Sequence, residues 1–300
     1  MPTAFVLSGG GSLGAVQVGM LQALQAAGVE PDFLVGASVG ALNAAYVAGH
    51  GFTGHALTSL ERVWRGLRRN DVFPFDPARH LLALSGARPS LCSPRNLERL
   101  IGESLPFRRL QDAVIPVHVV ATDILSGKEV LLSAGDAVSA VLASAAIPAV
   151  FPAVQIDGRS LVDGGIANNT PITHAVALGA DRVVVLPAGY ACALPAPPPT
   201  ALASAIHAMT LLVQQRLLNE VADYRGTAEL IVIPPLCPVA VSPADFRRAE
   251  ELITRARRAT SGWLTERGDL TPHPERYLSM HDHGGHALSC SVDPAGVADL

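Results

Sequence analysis

The first 50 residues repeat one local pattern, an apolar strand that leads through a glycine-containing turn into an apolar helix. A strand at 4–7 leads into a glycine-rich turn and a helix at about 15–27, and a strand at 33–35 leads into a turn at 36–40 and a second helix. Consecutive units of this kind place parallel strands in a sheet that helices cover on both faces. We therefore expect an α/β fold of three layers, with a mostly parallel central sheet and helices on both faces.

The length and composition suit one such unit. The chain has 300 residues, of which 49% are hydrophobic and 16% charged, so it can bury a large core. We expect a single domain over 1–270 and a mobile C-terminal tail over 271–300. Within the domain, an arginine-rich helical insertion or cover is expected at 61–109, and a last helix from Ser242 and Pro243 to about Arg267.

Charge and motif content argue against several classes of function. The 22 basic and 26 acidic residues form no long basic run, so we expect no nucleic-acid partner. No Lys or Arg precedes Arg62, so a secretory signal is not indicated and a cytoplasmic location is expected. The apolar stretch 137–156 contains Pro148 and Pro152, which argue against a membrane-spanning helix. The four cysteines form no CxxC pair, so neither a zinc site nor a disulfide framework is indicated.

The turn after the second strand carries a candidate nucleophile. Gly36, Ser38 and Gly40 form a G-x-S-x-G motif between a strand and a helix, where glycines permit the close backbone approach that a sharp turn needs. The turn leaves the serine hydroxyl exposed beyond the edge of the sheet. The alternative is that Ser38 only caps the following helix.

The first glycine-rich turn allows two interpretations. Gly9, Gly11 and Gly14 satisfy the dinucleotide-binding pattern G-x-G-x-x-G. That pattern also requires an acidic residue at the carboxyl end of the second strand, but Glu30 and Asp32 precede this strand. Together with Gly10, the turn is better suited to presenting backbone N–H groups to an oxyanion.

A serine nucleophile needs a proton acceptor, and Asp163 is the best candidate. It ends a predicted strand and is followed by Gly164 and Gly165, which allow another loop to approach. The histidines lie in no catalytic motif: we expect His118, His174 and His207 to be structural or surface residues, and His281, His283 and His286 to form at most a weak metal site in the tail.

At this point the sequence resembles the patatin-like phospholipases over about residues 4–190. The resemblance rests on the two glycine-containing turns and on Asp163-Gly164-Gly165, in the family's order. It also rests on two further stretches, Ala143-Ser144-Ala145-Ala146-Ile147-Pro148 with Phe151-Pro152, and Asn168-Asn169-Thr170-Pro171.

The resemblance implies a serine lipid acyl hydrolase with a Ser-Asp dyad, in which Ser38 is the nucleophile and Asp163 the base. Gly10 and Gly11, helped by Gly9, would match the family's oxyanion donors. No cofactor, metal or catalytic histidine is implied. An aspartate at its usual pKa of about 3.9 is a poor base, so we expect burial to raise the pKa of Asp163.

One position departs from the family, whose glycine loop often carries Arg or Lys where this chain has Leu13. The role of that cation therefore has no counterpart here.

Other functions and partners remain open at the level of sequence. An acyltransferase would use the same dyad, whereas a dinucleotide-binding oxidoreductase or a catalytically silent binding protein would use only part of it. The segment 61–109 holds ten arginines and five acidic residues, which fits either solvated helices or a cover that contacts anionic membrane surfaces peripherally. The sequence does not indicate the oligomeric state, the head group or the acyl length.

Overall fold

A computed structural model of the chain describes residues 1–189, 197, 201–224, 226–237 and 241–267. Within these residues eight strands form one sheet. The strands are β1 (Thr3–Leu7), β2 (Phe33–Ala37), β3 (Val117–Asp123), β4 (Glu129–Leu132), β5 (Val154–Ile156), β6 (Arg159–Asp163), β7 (Arg182–Leu186) and β8 (Glu229–Val232).

Eleven α-helices lie within the described residues. They are α1 (Gly14–Ala26), α2 (Val39–His50), α3 (Gly54–Gly66), α4 (Arg69–Val72), α5 (Pro77–Leu84), α6 (Arg95–Ser104), α7 (Ala137–Ser144), α8 (Gly165–Asn168), α9 (Ile172–Ala177), α10 (Ala201–Asp223) and α11 (Ala249–Arg267).

The sheet confirms the expected fold class. Its order is β5-β6-β3-β2-β1-β7-β8, with β4 beside β3. Strands β3, β2, β1, β7 and β8 are parallel to one another. Strands β4, β5 and β6 add antiparallel pairs at one side of the sheet. Strands β1 and β2 are direct neighbours, so the turns that follow them lie at the same edge of the sheet.

Alternate residues of β1 face different helical layers. Phe5 and Leu7 belong to a core that includes residues of α1, α2 and α11, whereas Ala4 and Val6 pack in a second core with α9 and α10. Because side chains of a strand alternate between faces, this places helices on both sides of the sheet. Helices on both faces of the sheet confirm the expected three-layer arrangement.

The start of the last helix differs from the prediction. Helix α11 begins at Ala249, after a 3₁₀ turn at Phe246–Arg248, and not at Ser242. The carbonyl oxygen of Ser242 accepts a hydrogen bond from the Ser12 hydroxyl at 3.0 Å, and that of Pro243 accepts one from the Ser12 N–H at 2.7 Å. These residues are therefore bound to the glycine-rich turn after β1, which holds them out of a helix.

Two expectations concern membranes and the tail. Within the described residues, no helix combines the length and apolar character needed to cross a membrane. The predicted tail at 271–300, which contains the candidate metal-binding histidines His281, His283 and His286, lies outside the described residues.

Candidate active site

Ser38 occupies the single residue between β2 and α2. Its φ of 54° and ψ of −126° lie in a region that costs a non-glycine residue of order 1–3 kcal/mol. The side chain makes no capping hydrogen bond to α2, so the helix-cap interpretation is wrong. A strained serine whose hydroxyl does not serve the helix is typical of a nucleophile at a sharp strand-to-helix turn.

The predicted motif glycines lie where backbones approach closely. A Cβ at any of the five would come within 2.7 Å of a neighbouring group, and at Gly40 it would collide with the Leu7 carbonyl oxygen. The five are Gly14, Gly36, Gly40, Gly164 and Gly165. Their lack of a side chain is what lets the loops after β1, β2 and β6 converge.

Asp163 is the hydrogen-bond partner of the Ser38 hydroxyl. Ser38 Oγ donates to Asp163 Oδ2 at 2.7 Å, and the Gly165 N–H donates to Asp163 Oδ1 at 2.8 Å. Sheet register brings the two side chains together, because Ala37 pairs with Val120 of β3 and the next residue of β3, Ala121, pairs with Asp163. Both carboxylate oxygens are thus held by donors, which fixes the orientation of the group.

The environment of Asp163 alters its proton affinity. Burial raises the pKa of Asp163 from 3.8 to about 6, although hydrogen bonds from the Ser38 hydroxyl and the Gly165 N–H act in the opposite direction. The result agrees with the expectation that burial makes this carboxylate a stronger base. At pH 7 a group with this pKa is still about 90% ionised and can accept a proton.

Ser144, a residue to which the sequence assigned no role in the site, holds the backbone of Ser38. The Ser38 N–H donates to Ser144 Oγ at 2.8 Å, and this hydroxyl donates to the Val120 carbonyl at 2.6 Å. The Asp163 N–H donates to the Ala146 carbonyl at 3.0 Å. The end of α7 therefore fixes the backbones of both Ser38 and Asp163.

The glycine-rich turn after β1 lies against Ser38. A Cβ at Gly9 would be 3.0 Å from the Cβ of Ser38. The Gly9 N–H donates to the Asn169 carbonyl at 3.2 Å, so it is already occupied, which argues against the predicted role of Gly9 as an oxyanion donor. Among the described residues, the N–H groups of Gly10 and Gly11 have no hydrogen-bond acceptor. Free donors beside a nucleophile can stabilise an oxyanion.

A buried amide chain supports this turn from behind, and sequence reasoning missed it. Gln17 Nε2 donates to the Ser8 carbonyl at 2.8 Å and to the Leu186 carbonyl at 3.0 Å. Asn43 Nδ2 donates to Gln17 Oε1 at 2.9 Å, and Asn43 Oδ1 accepts the Trp64 indole N–H at 2.9 Å. These contacts connect Ser8, the residue before the glycine-rich turn, with the side chain of Trp64 in α3.

An apolar cleft, partly open to solvent, begins at Ser38. Its walls come mainly from α2, α3, α6 and the loop around Phe73, so the arginine-rich segment 61–109 borders it. The apolar lining includes Leu42, Leu60, Trp64, Phe73, Leu100 and Phe246. A cleft with this apolar lining suits a hydrocarbon chain.

The described histidines take no part in the hydrogen bonds of Ser38 and Asp163. His118 Nδ1 lies 2.7 Å from Ser133 Oγ, and His174 Nε2 lies 2.8 Å from Glu129 Oε2. His207 belongs to α10, but its side chain lies outside the described residues. In the described part of the chain, no group of three His, Cys, Asp or Glu residues is arranged to hold a metal ion.

Two curated relatives resemble this chain over 61% of its length. An uncharacterized NTE family protein of Mycobacterium tuberculosis is 30% identical over 185 residues, which cover 61% of this chain and 48% of that protein. Neuropathy target esterase sws of Drosophila melanogaster is 29% identical over 187 residues, which cover 61% of this chain and 13% of that protein. The chain thus spans about half, or less, of the length of these curated relatives.

Among solved structures, VipD from Legionella pneumophila overlaps 88% of this chain and 67% of its own, at 19% identity and a TM-score of 0.45. A family model described as Patatin-like phospholipase matches residues 5–176. That range is more than half of the chain and contains both Ser38 and Asp163. The chain belongs to the patatin-like phospholipase family.

Proposed function

We propose that this chain is a serine hydrolase that cleaves the acyl esters of lipids, with an activity of the phospholipase A or lysophospholipase type. The hydrogen bond of 2.7 Å between Ser38 and Asp163 carries the proposal, because it joins a strained serine to a buried carboxylate at the mouth of an apolar cleft. Family membership supports the same class of substrate.

The first half of the reaction forms an acyl-enzyme. Ser38 Oγ attacks the ester carbonyl carbon while its proton moves to Asp163 Oδ2. The N–H groups of Gly10 and Gly11 stabilise the negative oxygen of the tetrahedral intermediate. When the intermediate collapses, the bond to the leaving alkoxide breaks, and this oxygen takes the proton from Asp163.

The second half repeats the chemistry with water. Asp163 removes a proton from the water molecule that attacks the acyl-Ser38 ester, and the same N–H groups hold the oxyanion. The fatty acid leaves and Ser38 Oγ regains its proton from Asp163. A carboxylate with a pKa near 6 can exchange protons in both directions at neutral pH, which suits an acid–base role in each half.

The partners in this proposal are the lipid substrate and, peripherally, an anionic membrane surface that the segment 61–109 would contact from the cytoplasm. We also propose that residues 1–270 form a single domain.

Release of fatty acid from a panel of short esters, lysophospholipids, phospholipids and triacylglycerols tests the function. We expect the purified chain to hydrolyse members of this panel and the Ser38→Ala variant to hydrolyse none of them. Equal turnover by the wild-type chain and the variant would contradict the proposed mechanism.

A further inference from the structure

Two groups of large apolar side chains are exposed, one in and just before α5 and one at the turn between β3 and β4. In and just before α5, Phe75 is 64% and Leu81 70% exposed, and Leu82 is also exposed. At the turn between β3 and β4, Leu125 is 84% exposed and Ile124 is half-exposed. Exposed apolar groups that cluster near a binding site mark an interaction surface more often than isolated ones do.

The first group belongs to the rim of the cleft. Phe73 lines the cleft, and its ring lies 5.8 Å from that of Phe151. The N–H groups of Leu91 and Cys92 donate to the carbonyls of Ala149 and Val150, each at 2.8 Å. The segment 74–91, which contains α5, is therefore fastened at both ends beside the cleft and presents its exposed side chains outward there.

The second group lies beyond the edge of the sheet that carries the dyad. Val120 of β3 is level with Ala37, the residue before Ser38, and β3 continues to Asp123. The turn at 124–127 therefore projects past the level of the nucleophile. The Asp123 carboxylate orders it by accepting hydrogen bonds from the Leu125 N–H and the Ser126 hydroxyl, each at 3.0 Å.

Charge around the first group favours an anionic partner. Residues 68–95 contain five arginines and two aspartates. Both aspartates are engaged at helix starts, where Asp71 Oδ2 accepts the Arg68 N–H at 2.7 Å and Asp76 Oδ1 accepts the Arg79 N–H at 3.1 Å. Within the described part of the chain, none of the five arginines forms a salt bridge.

We propose that these two groups, named here the α5 rim and the 124–127 turn, dock the site end of the molecule on an anionic phospholipid bilayer. Phe75, Leu81 and Leu125 enter the interfacial layer of the membrane, and the neighbouring arginines contact lipid phosphates. The cleft mouth would then face the lipid that supplies its acyl chain. The inference rests on the proposed function for the choice of a lipid surface as the partner.

The chain offers matched controls at the opposite end of the sheet. Val114 is 75% exposed and precedes β3, and Leu178 is 39% exposed and precedes β7. Both are apolar side chains next to the amino ends of parallel strands. Val114 resembles the proposed docking residues in exposure, whereas Leu178 is less exposed, and both lie at the end of the sheet away from Ser38 and Asp163.

Vesicle binding tests the docking separately from catalysis. The Ser38→Ala variant is used as the parent, and co-sedimentation is measured with phosphatidylcholine vesicles that contain or lack phosphatidylglycerol. We expect Leu81→Ser and Leu125→Ser each to weaken binding to the anionic vesicles by about tenfold, as for loss of an inserted leucine. Val114→Ser and Leu178→Ser should leave binding unchanged, and added salt should weaken it.

Several results would overturn the docking proposal. These are an equal loss of vesicle binding in the site-end and control variants, no binding to any vesicle, or binding that does not depend on phosphatidylglycerol. A change of oligomeric state in Leu81→Ser, seen by light scattering without a change in vesicle binding, would assign the α5 rim to a protein contact instead.

A parallel assay with a soluble short-chain ester separates the two proposals. The same substitutions in the active chain should leave its hydrolysis unchanged. Hydrolysis without vesicle binding would refute only the docking, and vesicle binding without hydrolysis only the enzymatic function.

Discussion

Replacing Asp163 by asparagine should make the protein more stable at neutral pH while it abolishes activity. The side chain is buried, and its burial makes ionisation less favourable in the folded state than in the unfolded chain. Asparagine has the same shape: its amide oxygen can accept the Gly165 N–H, and its NH₂ group can donate to Ser38 Oγ. The substitution thus removes the buried charge and retains the hydrogen-bonded geometry.

The size of the effect follows from the pKa. A change from 3.8 to about 6 corresponds to about 3 kcal/mol of unfavourable ionisation. This cost is fully present above the folded-state pKa of about 6, where the carboxylate is ionised in both states. As the pH falls through 6 towards 3.8, the folded state takes up the proton first and the cost disappears.

Urea unfolding of the wild-type chain and Asp163→Asn at several pH values measures this difference. We expect the variant to have the larger free energy of unfolding at pH 7.5, by up to about 3 kcal/mol, and the gap to close as the pH approaches 4. Ser38→Ala is the matched control, because it keeps the buried carboxylate and removes a hydrogen bond to it. That variant should be less stable than the wild-type chain at pH 7.5.

The reasoning would be refuted if Asp163→Asn were less stable at pH 7.5. It would also be refuted if the gap between the two proteins did not depend on pH.

Three further predictions concern catalysis. The rate of hydrolysis of a soluble ester should fall, relative to its plateau at high pH, about twofold at pH 6 and about tenfold at pH 5, because Asp163 takes up a proton. A rate that does not depend on pH over this range would exclude Asp163 as the base. Gln17→Leu should lower kcat more than it raises KM, because the Ser8 carbonyl loses a hydrogen-bond donor worth about 1–3 kcal/mol and the glycine-rich turn moves. An unchanged kcat, or a similar loss of kcat in the core control Val183→Ala, would contradict this. His118→Ala should leave kcat largely unchanged, and a loss as large as that of Asp163→Asn would indicate a triad.

The fold class could be predicted from sequence because its signals are local. Two strand–turn–helix units in 50 residues determine neighbouring parallel strands, and β1 and β2 pair as this requires. The candidate nucleophile and base were also identifiable, since Ser38 and Asp163 each lie in a short motif beside glycines. The structure brings these two side chains together across 125 positions of sequence.

The supports of the site could not be predicted, because they depend on contacts between distant segments. Gln17 and Asn43 look like ordinary polar residues of two apolar helices, yet they connect Trp64 with the Ser8 carbonyl. The N–H of Gly9 resembles those of its neighbours in sequence, and only its contact with Asn169 removes it from the set of free donors.

Covalent labelling tests the central claim most directly. The chain is treated with a fluorophosphonate probe, and the modified residue is located by mass spectrometry of its peptides, with Ser38→Ala and Asp163→Asn treated in parallel. The account predicts one adduct, on Ser38 Oγ, that is absent from Ser38→Ala and forms much more slowly in Asp163→Asn. Labelling of another serine, or an undiminished adduct in Ser38→Ala, would contradict it.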